Sequence, residues 1–560
     1  MSFSKEKSRV GIIGAGVGGL SMAIALKKQL NFDNFLIFEK ESDIGGTWRD
    51  NTYPGCSSDV AGHWYSLSYE PNPNWSSRFV LQPEILAYWQ DLVNKYGLRK
   101  YLVLNTTVVN AVWDDDAQHY RLTLRNLKTG KEYEEVVEAL VSASGALAEP
   151  RYPSDIPGMK DFKGPMFHTS WWRKDVDLAG KTVGVVGNAA SAVQLVPRIS
   201  EDPSVKVINF CRTPNWLVFR PNFKYPTWAK WAFAHIPGVM RTYRTFVFYS
   251  YESLYRLFRN ENKLLQAAAR KVLTMELKKR IPKEYADKLI PSYPPGCKRM
   301  IVEPGYLKAL HQPNVQLNWD GIAKFEPDGL VTKAGEKISL DVVVFATGFH
   351  FARLITDVTG QGGLTLQQYF DSKGGPTAYL GTTVPSFPNF FVILGPNTAT
   401  GHASVIFTEE AQINYTIQLL APIITRSASS FTVRSSVTDA FNERLQKRLN
   451  STVFAACASW YRAGSDGTGK NVAIWPGPVT AFWWKVRKVR WSDYEARGAE
   501  KWERERRRKR IRQVLAWIAA AVLLAAGTQS STRNAVIASI APTLEKAYES
   551  IPCLGFRRSF

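Results

Sequence analysis

Seven histidines and five cysteines in 560 residues leave little material for metal or disulfide chemistry. Cys56, Cys211, Cys297, Cys457 and Cys553 are odd in number and widely spaced, with no Cys-x-x-Cys among them. That excludes a redox dithiol and a zinc knuckle, and a reducing compartment suits such a chain best. The histidines show no ligand spacing, so no metal is expected. Met1 to Arg9 lacks a signal-peptide pattern, and a secreted protein is not expected. The apolar run Val514 to Gly527 has 14 residues, against about 20 for a membrane span. What is present is ample apolar material: 45% of the chain, with 39 Gly and 30 Pro. Disordered, collagen-like and small disulfide-stapled chains are excluded, and the length suits more than one domain.

Positive charge is in excess, with 71 Lys and Arg against 49 Asp and Glu, a formal +22. Lys485 to Arg512 holds 13 basic and 5 acidic residues, a net of +8. Such a block argues about local partners and not about the fold. It contains Trp491 and Trp502 but no nucleic-acid-binding pattern, so no specific nucleic acid is expected. Beside the apolar run it can rest on an anionic membrane face through residues 504–532. The alternative is a buried or self-associating helix. A cytoplasmic location, with or without that contact, follows.

Two βαβ units stand out. The first has a strand over Arg9 to Ile13, a helix over Leu20 to Gln29 and a strand over Asn34 to Phe38. Between strand and helix lies Gly14-Ala15-Gly16-Val17-Gly18-Gly19, a GxGxxG. Gly14 permits the turn, Gly16 lets backbone approach a pyrophosphate, and Gly19 lets helix and strand pack closely. Glu39, 20 residues after Gly19, can bond both ribose hydroxyls and would repel a 2′-phosphate. This site wants FAD or NAD.

The second unit runs from Thr182 to Val186, through a helix to about Val196, to a strand over Val205 to Phe210. Its turn is Gly187-Asn188-Ala189-Ala190-Ser191-Ala192, and its last strand leads into Arg212 and Thr213 instead of an acid. A guanidinium and a hydroxyl at that edge suit the 2′-phosphate of NADPH. Between Pro221 and Pro282 a helical, aromatic, basic stretch reads as an insertion, and Trp228 to Phe258 suggests a roomy hydrophobic pocket.

These motifs bring the chain to a family. Gly45-Gly46-Thr47-Trp48-Arg49-Asp50-Asn51-Thr52-Tyr53-Pro54-Gly55 continues through Asp59 and Tyr65 to Gln82-Pro83-Glu84-Ile85. Phe162, Gly164, His168 and Trp172 follow, then Gly296-Cys297-Lys298-Arg299, Ala346-Thr347-Gly348 and Gly395-Pro396-Asn397. Together they resemble the class B flavoprotein monooxygenases of the Baeyer–Villiger type, over roughly residues 8–494. Arg173 and His350 depart from the family pattern, as do Ala189 and Ala192. Ser459-Trp460-Tyr461 and Trp475-Pro476-Gly477-Pro478 resemble fungal members of secondary metabolism.

The resemblance implies an α/β fold with two Rossmann-like dinucleotide-binding domains, a helical insertion and a basic, then apolar, helical tail. It implies an FAD domain over 8–150 and 336–494, an NADPH domain over 151–335 with its insertion at about 218–290, and a tail over 495–560. NADPH would reduce FAD, and O₂ would react at flavin C4a to give a peroxyflavin. One oxygen atom would then enter beside the carbonyl of a bulky, apolar ketone, giving an ester or lactone. Arg299 would be the cation that keeps the peroxide ionised, held by Asp59. Gly46, Thr47, Trp48, Asp59 and Tyr65 would line the flavin side, and Asn188, Ser191, Gln194, Arg212, Thr213 and Lys298 the NADPH side. Gln194 touches the cofactor or caps local backbone. His168 packs with Trp172 at the domain junction. Nitrogen or sulfur oxygenation, a flavin reductase or oxidase, and a non-enzymatic basic interaction protein are the alternatives.

Overall fold

A computed structural model describes residues 9–350 and 356–526. Four short apolar runs, Val10–Ile13, Phe35–Phe38, Ala139–Ser142 and Phe390–Val392, are buried along their whole length. Strands apolar on both faces need cover on both sides, the environment of a parallel sheet. They pair in parallel in the order 390–392, 139–142, 10–13, 35–38, with Leu102–Val103 at the far edge. Helix Val17–Leu30 joins the first two strands in sequence.

A second parallel sheet has the order Val315–Asn318, Lys206–Phe210, Thr182–Val186, Val342–Phe345, Met166–His168. Helix Ala190–Ile199 follows its central strand. Two doubly wound halves are therefore present, as the paired βαβ units imply.

The boundary placed at 335/336 is corrected. Strand Val342–Phe345 pairs with Thr182–Val186 and Met166–His168, inside the second sheet. It leads into Ala346, whose carbonyl closes the second glycine turn. A side chain on Gly187 (φ +108°) would stand 2.5 Å from the Ala346 carbonyl oxygen. One on Gly14 (φ +98°) would stand 2.6 Å from that of Ala143, at the end of 139–142. Both turns need a positive φ and bare backbone, which only glycine supplies without strain.

A meander of Thr106–Asp114, His119–Asn126 and Glu132–Val137 is antiparallel, with Asp357–Thr359 added in parallel to its first strand. Its inward residues, including Val108, Trp113, Tyr120, Leu122 and Leu124, share a core with Phe38, Leu140 and Phe390 of the first sheet.

The insertion is helical, with Thr227–His235, Val239–Glu252 and Lys263–Arg280. Its aromatics divide between two faces. Tyr225, Phe233 and Tyr243 surround the His63 ring at 4.7, 4.7 and 5.2 Å. Trp228 and Phe246 instead face outward, 74% and 69% exposed. The expected pocket across 228–258 thus loses part of its lining, because helical spacing alone does not say which stripe is covered.

One cysteine pair is joined, although the sequence pattern suits a reducing compartment. Cys297 and Cys457, 160 residues apart, form a disulfide with a Cα–Cα distance of 6.1 Å, while Cys56 and Cys211 are free and buried. Cys553 lies outside the described residues.

Among the described residues the chain divides into a large unit, up to residue 421 with 431–495, and a small one, 422–430 with 496–526. In the small unit, helix Glu500–Ala526 carries the basic run on exposed positions. The Trp502 N–H donates to the Ser427 carbonyl at 3.2 Å. Among the described residues no helix is long and apolar enough to cross a membrane. The end of the expected contact segment, 527–532, lies outside them.

Candidate active site

At the first turn, helix Val17–Leu30 starts at Gly16 with no side-chain cap among the described residues. Uncapped first-turn amides with the helix dipole behind them form a phosphate cradle. Gly46 (φ +52°) faces it: a side chain there would meet the Gly16 Cα at 3.0 Å. Two bare backbones thus leave the cradle open to a pyrophosphate. The buried Glu39 carboxylate accepts from the Ala15 N–H at 2.7 Å and the Glu41 N–H at 3.0 Å. Burial pushes its pKa up and the two amides pull against that shift. Each oxygen keeps a further lone pair for a ribose hydroxyl. Beside Gly46, Thr47 opens the short helix Thr47–Asp50, and Trp48 Nε1 donates to the Tyr65 hydroxyl at 3.2 Å. The residues present fit a dinucleotide.

At the second turn, Ala189 and Ala190 are exposed and helix Ala190–Ile199 again lacks a side-chain cap among the described residues. Asn188 Nδ2 donates to the Thr213 carbonyl at 2.9 Å, and Asn215 Nδ2 to the Asn188 carbonyl at 3.0 Å. Asn188 and Thr213 therefore brace the turn against the strand edge. Arg212 is exposed, and Lys298 lies within its field. Burial, and then repulsion from Arg212, lower the Lys298 pKa. Two cations within each other's field fit a phosphate dianion.

Gln194 bridges to the first domain. It accepts from the Tyr53 hydroxyl at 2.8 Å and donates to the Ser57 carbonyl at 3.1 Å. Ser191, one turn earlier, also hydrogen-bonds Tyr53. These residues join the second-domain helix to the 53–57 segment of the first domain.

That segment leads to Asp59. Arg299 Nη2 and Nε donate to Asp59 Oδ2 at 2.6 and 3.1 Å, across 240 residues of sequence. Arg299 Nη1 donates to the Thr400 carbonyl at 3.2 Å. Burial opposes the Arg299 charge, but Asp59 outweighs it, and the guanidinium pKa is raised. Residues from 59, 299 and 400 thus fix one permanent cation where the two domains meet.

Sequence reasoning missed several neighbours of this cation. Thr400 acts through its backbone, which no side chain advertises. His402 Nε2 stands 3.5 Å from Glu252 Oε2, in the field of Arg299. Tyr255 and Phe258 pack on the His402 ring at 5.7 and 5.8 Å. Tyr461, in the Ser-Trp-Tyr stretch, is buried and shares the field of Arg299 and Asp59. Burial first, and Asp59 with it, raise its pKa.

His168 is fully buried, but not against Trp172. It packs on Tyr152 at 5.8 Å and Phe349 at 5.4 Å, and its Nδ1 accepts from the Ser170 N–H at 3.1 Å. Trp172 packs on Phe167 instead, at 5.3 Å.

Two Rossmann domains, one open turn for each dinucleotide and a fixed cation at their junction define a flavoprotein oxidoreductase of the two-dinucleotide class. The comparisons with known proteins agree. The flavin-binding monooxygenase-like family model matches residues 7–233. A Baeyer–Villiger monooxygenase of Pseudomonas aeruginosa is 36% identical over 486 residues, 86% of this chain and 89% of that one. The FAD-binding monooxygenase ktnD of Aspergillus niger is 35% identical, over 88% of this chain and 82% of its own. Cyclohexanone monooxygenase from Rhodococcus sp. Phi1, solved with NADP+, superposes with a TM-score of 0.78 at 25% identity, covering 88% of this chain and 99% of that one. The chain belongs to the flavin-binding monooxygenase-like family, among the Baeyer–Villiger monooxygenases.

Proposed function

We propose that the protein is an FAD- and NADPH-dependent Baeyer–Villiger monooxygenase of an apolar ketone. In balance, ketone, O₂, NADPH and a proton give ester or lactone, NADP+ and water. The observation that carries the reading is the Arg299–Asp59 pair at the domain junction.

Bound at the first turn and reduced by NADPH, FAD supplies the chemistry that activates dioxygen. The chain's own part is electrostatic and positional. Arg299 holds a positive charge that no ordinary pH removes, beside the place where negative oxygen must survive. Asp59 and the Thr400 carbonyl fix its direction, so the charge is aimed before substrate arrives. Lys298 and Arg212 hold the 2′-phosphate of NADPH. Gln194, Ser191 and Tyr53 keep the second turn in register with the first domain. Tyr251, Tyr255, Phe258 and Tyr461 give the surroundings of the cation an aromatic wall, which supports an apolar substrate. The Ser459-Trp460-Tyr461 and Trp475-Pro476-Gly477-Pro478 stretches, alongside a fungal relative in ktnD, support a place in secondary metabolism.

The exposed basic helix from Glu500 supports contact with an anionic membrane face. In the same helix Leu515 and Trp517 are exposed, giving apolar side chains beyond the charge.

The test is incubation with FAD, NADPH and a panel of ketones, with products read by mass spectrometry. Esters or lactones carrying one ¹⁸O from ¹⁸O₂ are expected. NADPH-driven peroxide release with no ester from any ketone overturns the reading.

A further inference from the structure

One buried carboxyl beside the first dinucleotide turn has no task in the mechanism above. Glu409 lies on helix Val405–Ile424 and is 6% exposed. Its Oε1 is 3.7 Å from where a side chain on Gly18 would begin, in the first turn of the phosphate-cradling helix. Its Oε2 is buried with no hydrogen-bond partner among the described residues. Ser404 Oγ and Thr408 Oγ1, at the same end of that helix, are also buried and unpartnered. A buried polar atom without a partner is costly, so one is expected to arrive with a ligand.

The surroundings favour the uncharged form. The neighbouring Glu410 is held by the Ser68 N–H and hydroxyl at 2.8 and 2.9 Å, with Arg244 in its field. Tyr65 is the titratable group facing Glu409 from the 59–68 segment. The cradle side offers glycine backbone, and Ile393 and Ala143 pack at the same point. Burial and then Glu410 raise the Glu409 pKa to about 8. A pyrophosphate at the cradle would add like charge in the same direction.

We propose that Glu409 stands as the neutral acid beside the FAD pyrophosphate and offers its Oε2 proton to the bound cofactor, so that FAD binding is coupled to protonation of this one carboxyl. This rests on the first turn being the FAD site. Glu409 is then a positioning residue for the cofactor. Where the free protein holds Glu409 ionised, FAD binding must take up a proton, and affinity falls as pH rises.

The test is FAD affinity of the apoprotein, read by quenching of flavin fluorescence between pH 7 and 9. The parent chain is expected to bind about tenfold more weakly at pH 9 than at pH 7, the slope for one proton taken up above a midpoint near 8. Glu409→Gln keeps a neutral donor of the same shape, and its affinity is expected to stay flat. Glu410→Gln removes the like charge that helps raise the Glu409 pKa and should move the fall to lower pH. A parent chain that is flat, or a Glu409→Gln variant that falls with the parent slope, overturns the proposal. Absence of FAD binding at every pH would instead overturn the assignment of the first turn. If Glu409→Gln does not fold, the Glu410→Gln midpoint decides: an unmoved midpoint overturns the coupling.

Discussion

Arg299 reaches Asp59 through a single carboxylate oxygen, with Nη2 and Nε both on Oδ2 and Nη1 turned to the Thr400 carbonyl. The guanidinium is therefore fixed by two separate chain segments. Arg299→Ala should permit reduction of the flavin by NADPH while oxygenated product falls by about a hundred- to a thousandfold, as when a positioned electrostatic group is removed. Stopped-flow absorbance and product analysis, run side by side, check it. Unchanged product would refute the assigned role. Asp59→Ala keeps the cation but frees it, so a smaller loss with more peroxide leakage is expected.

Lys298 lies in the field of Arg212, and that like charge lowers its pKa further after burial. Lys298→Ala and Arg212→Ala should each raise KM for NADPH by about tenfold, the scale of one charge-assisted contact. KM for NADH should hardly move, so the ratio of the two constants is the measurement. Equal effects on both coenzymes would place these cations elsewhere.

His63 and His168 are buried, and burial lowers each pKa to about 4. Above pH 6.5 both are neutral whether folded or not. Between 6.5 and 4 the unfolded chain takes up protons that the folded chain refuses, so stability falls as pH falls. Each contributes a loss of about 3 kcal/mol across that window. Urea midpoints from pH 7 to 4.5 should decline, and His168→Gln should make the decline shallower. An unchanged slope in that variant would show that His168 does not drive it.

The Cys297–Cys457 bridge ends two residues from Arg299. Removing it should lower global stability by about 2–4 kcal/mol. Thermal unfolding with and without reductant, and of Cys297→Ser, reads this directly. A parent chain whose Tm ignores reductant would show that the bridge carries no stability.

The basic helix predicts salt-sensitive binding to vesicles containing phosphatidylserine, and little to neutral phosphatidylcholine. Neutralising Arg506 to Arg510 should abolish co-sedimentation and leave ketone turnover unchanged. Binding that ignores both salt and the substitutions would exclude this contact.

Much of the fold was legible because buried parallel strands advertise themselves. Val10–Ile13 and Val183–Val186 are buried apolar runs followed by glycine, a pattern that opens a βαβ unit. Val342–Phe345 is just as apolar, but its pattern does not say which of two sheets receives it. Hence the boundary at 335/336 fell short. Trp228 has the same helical spacing as a core residue, and only tertiary packing leaves it in water. Asp59 and Arg299 could be paired through a family resemblance, whereas the Thr400 carbonyl could not. The bridge from Gln194 to Tyr53 and Ser57 was not legible, because an amide on a cofactor helix serves a ligand or a neighbouring domain equally well. Glu409 was passed over because an acid on a helix is ordinarily a solvated one.

The edge strand Phe390–Val392 completes the first sheet only after the whole second sheet has been encoded. One domain is thus nested inside the other along the chain. During synthesis the inner domain has all its strands by Phe345, while the outer one still has a bare edge beside Ala139–Ser142. An unpaired edge invites wrong partners until its strand arrives. The order in which the ribosome releases these segments therefore makes the FAD domain, the first to begin, the last to close.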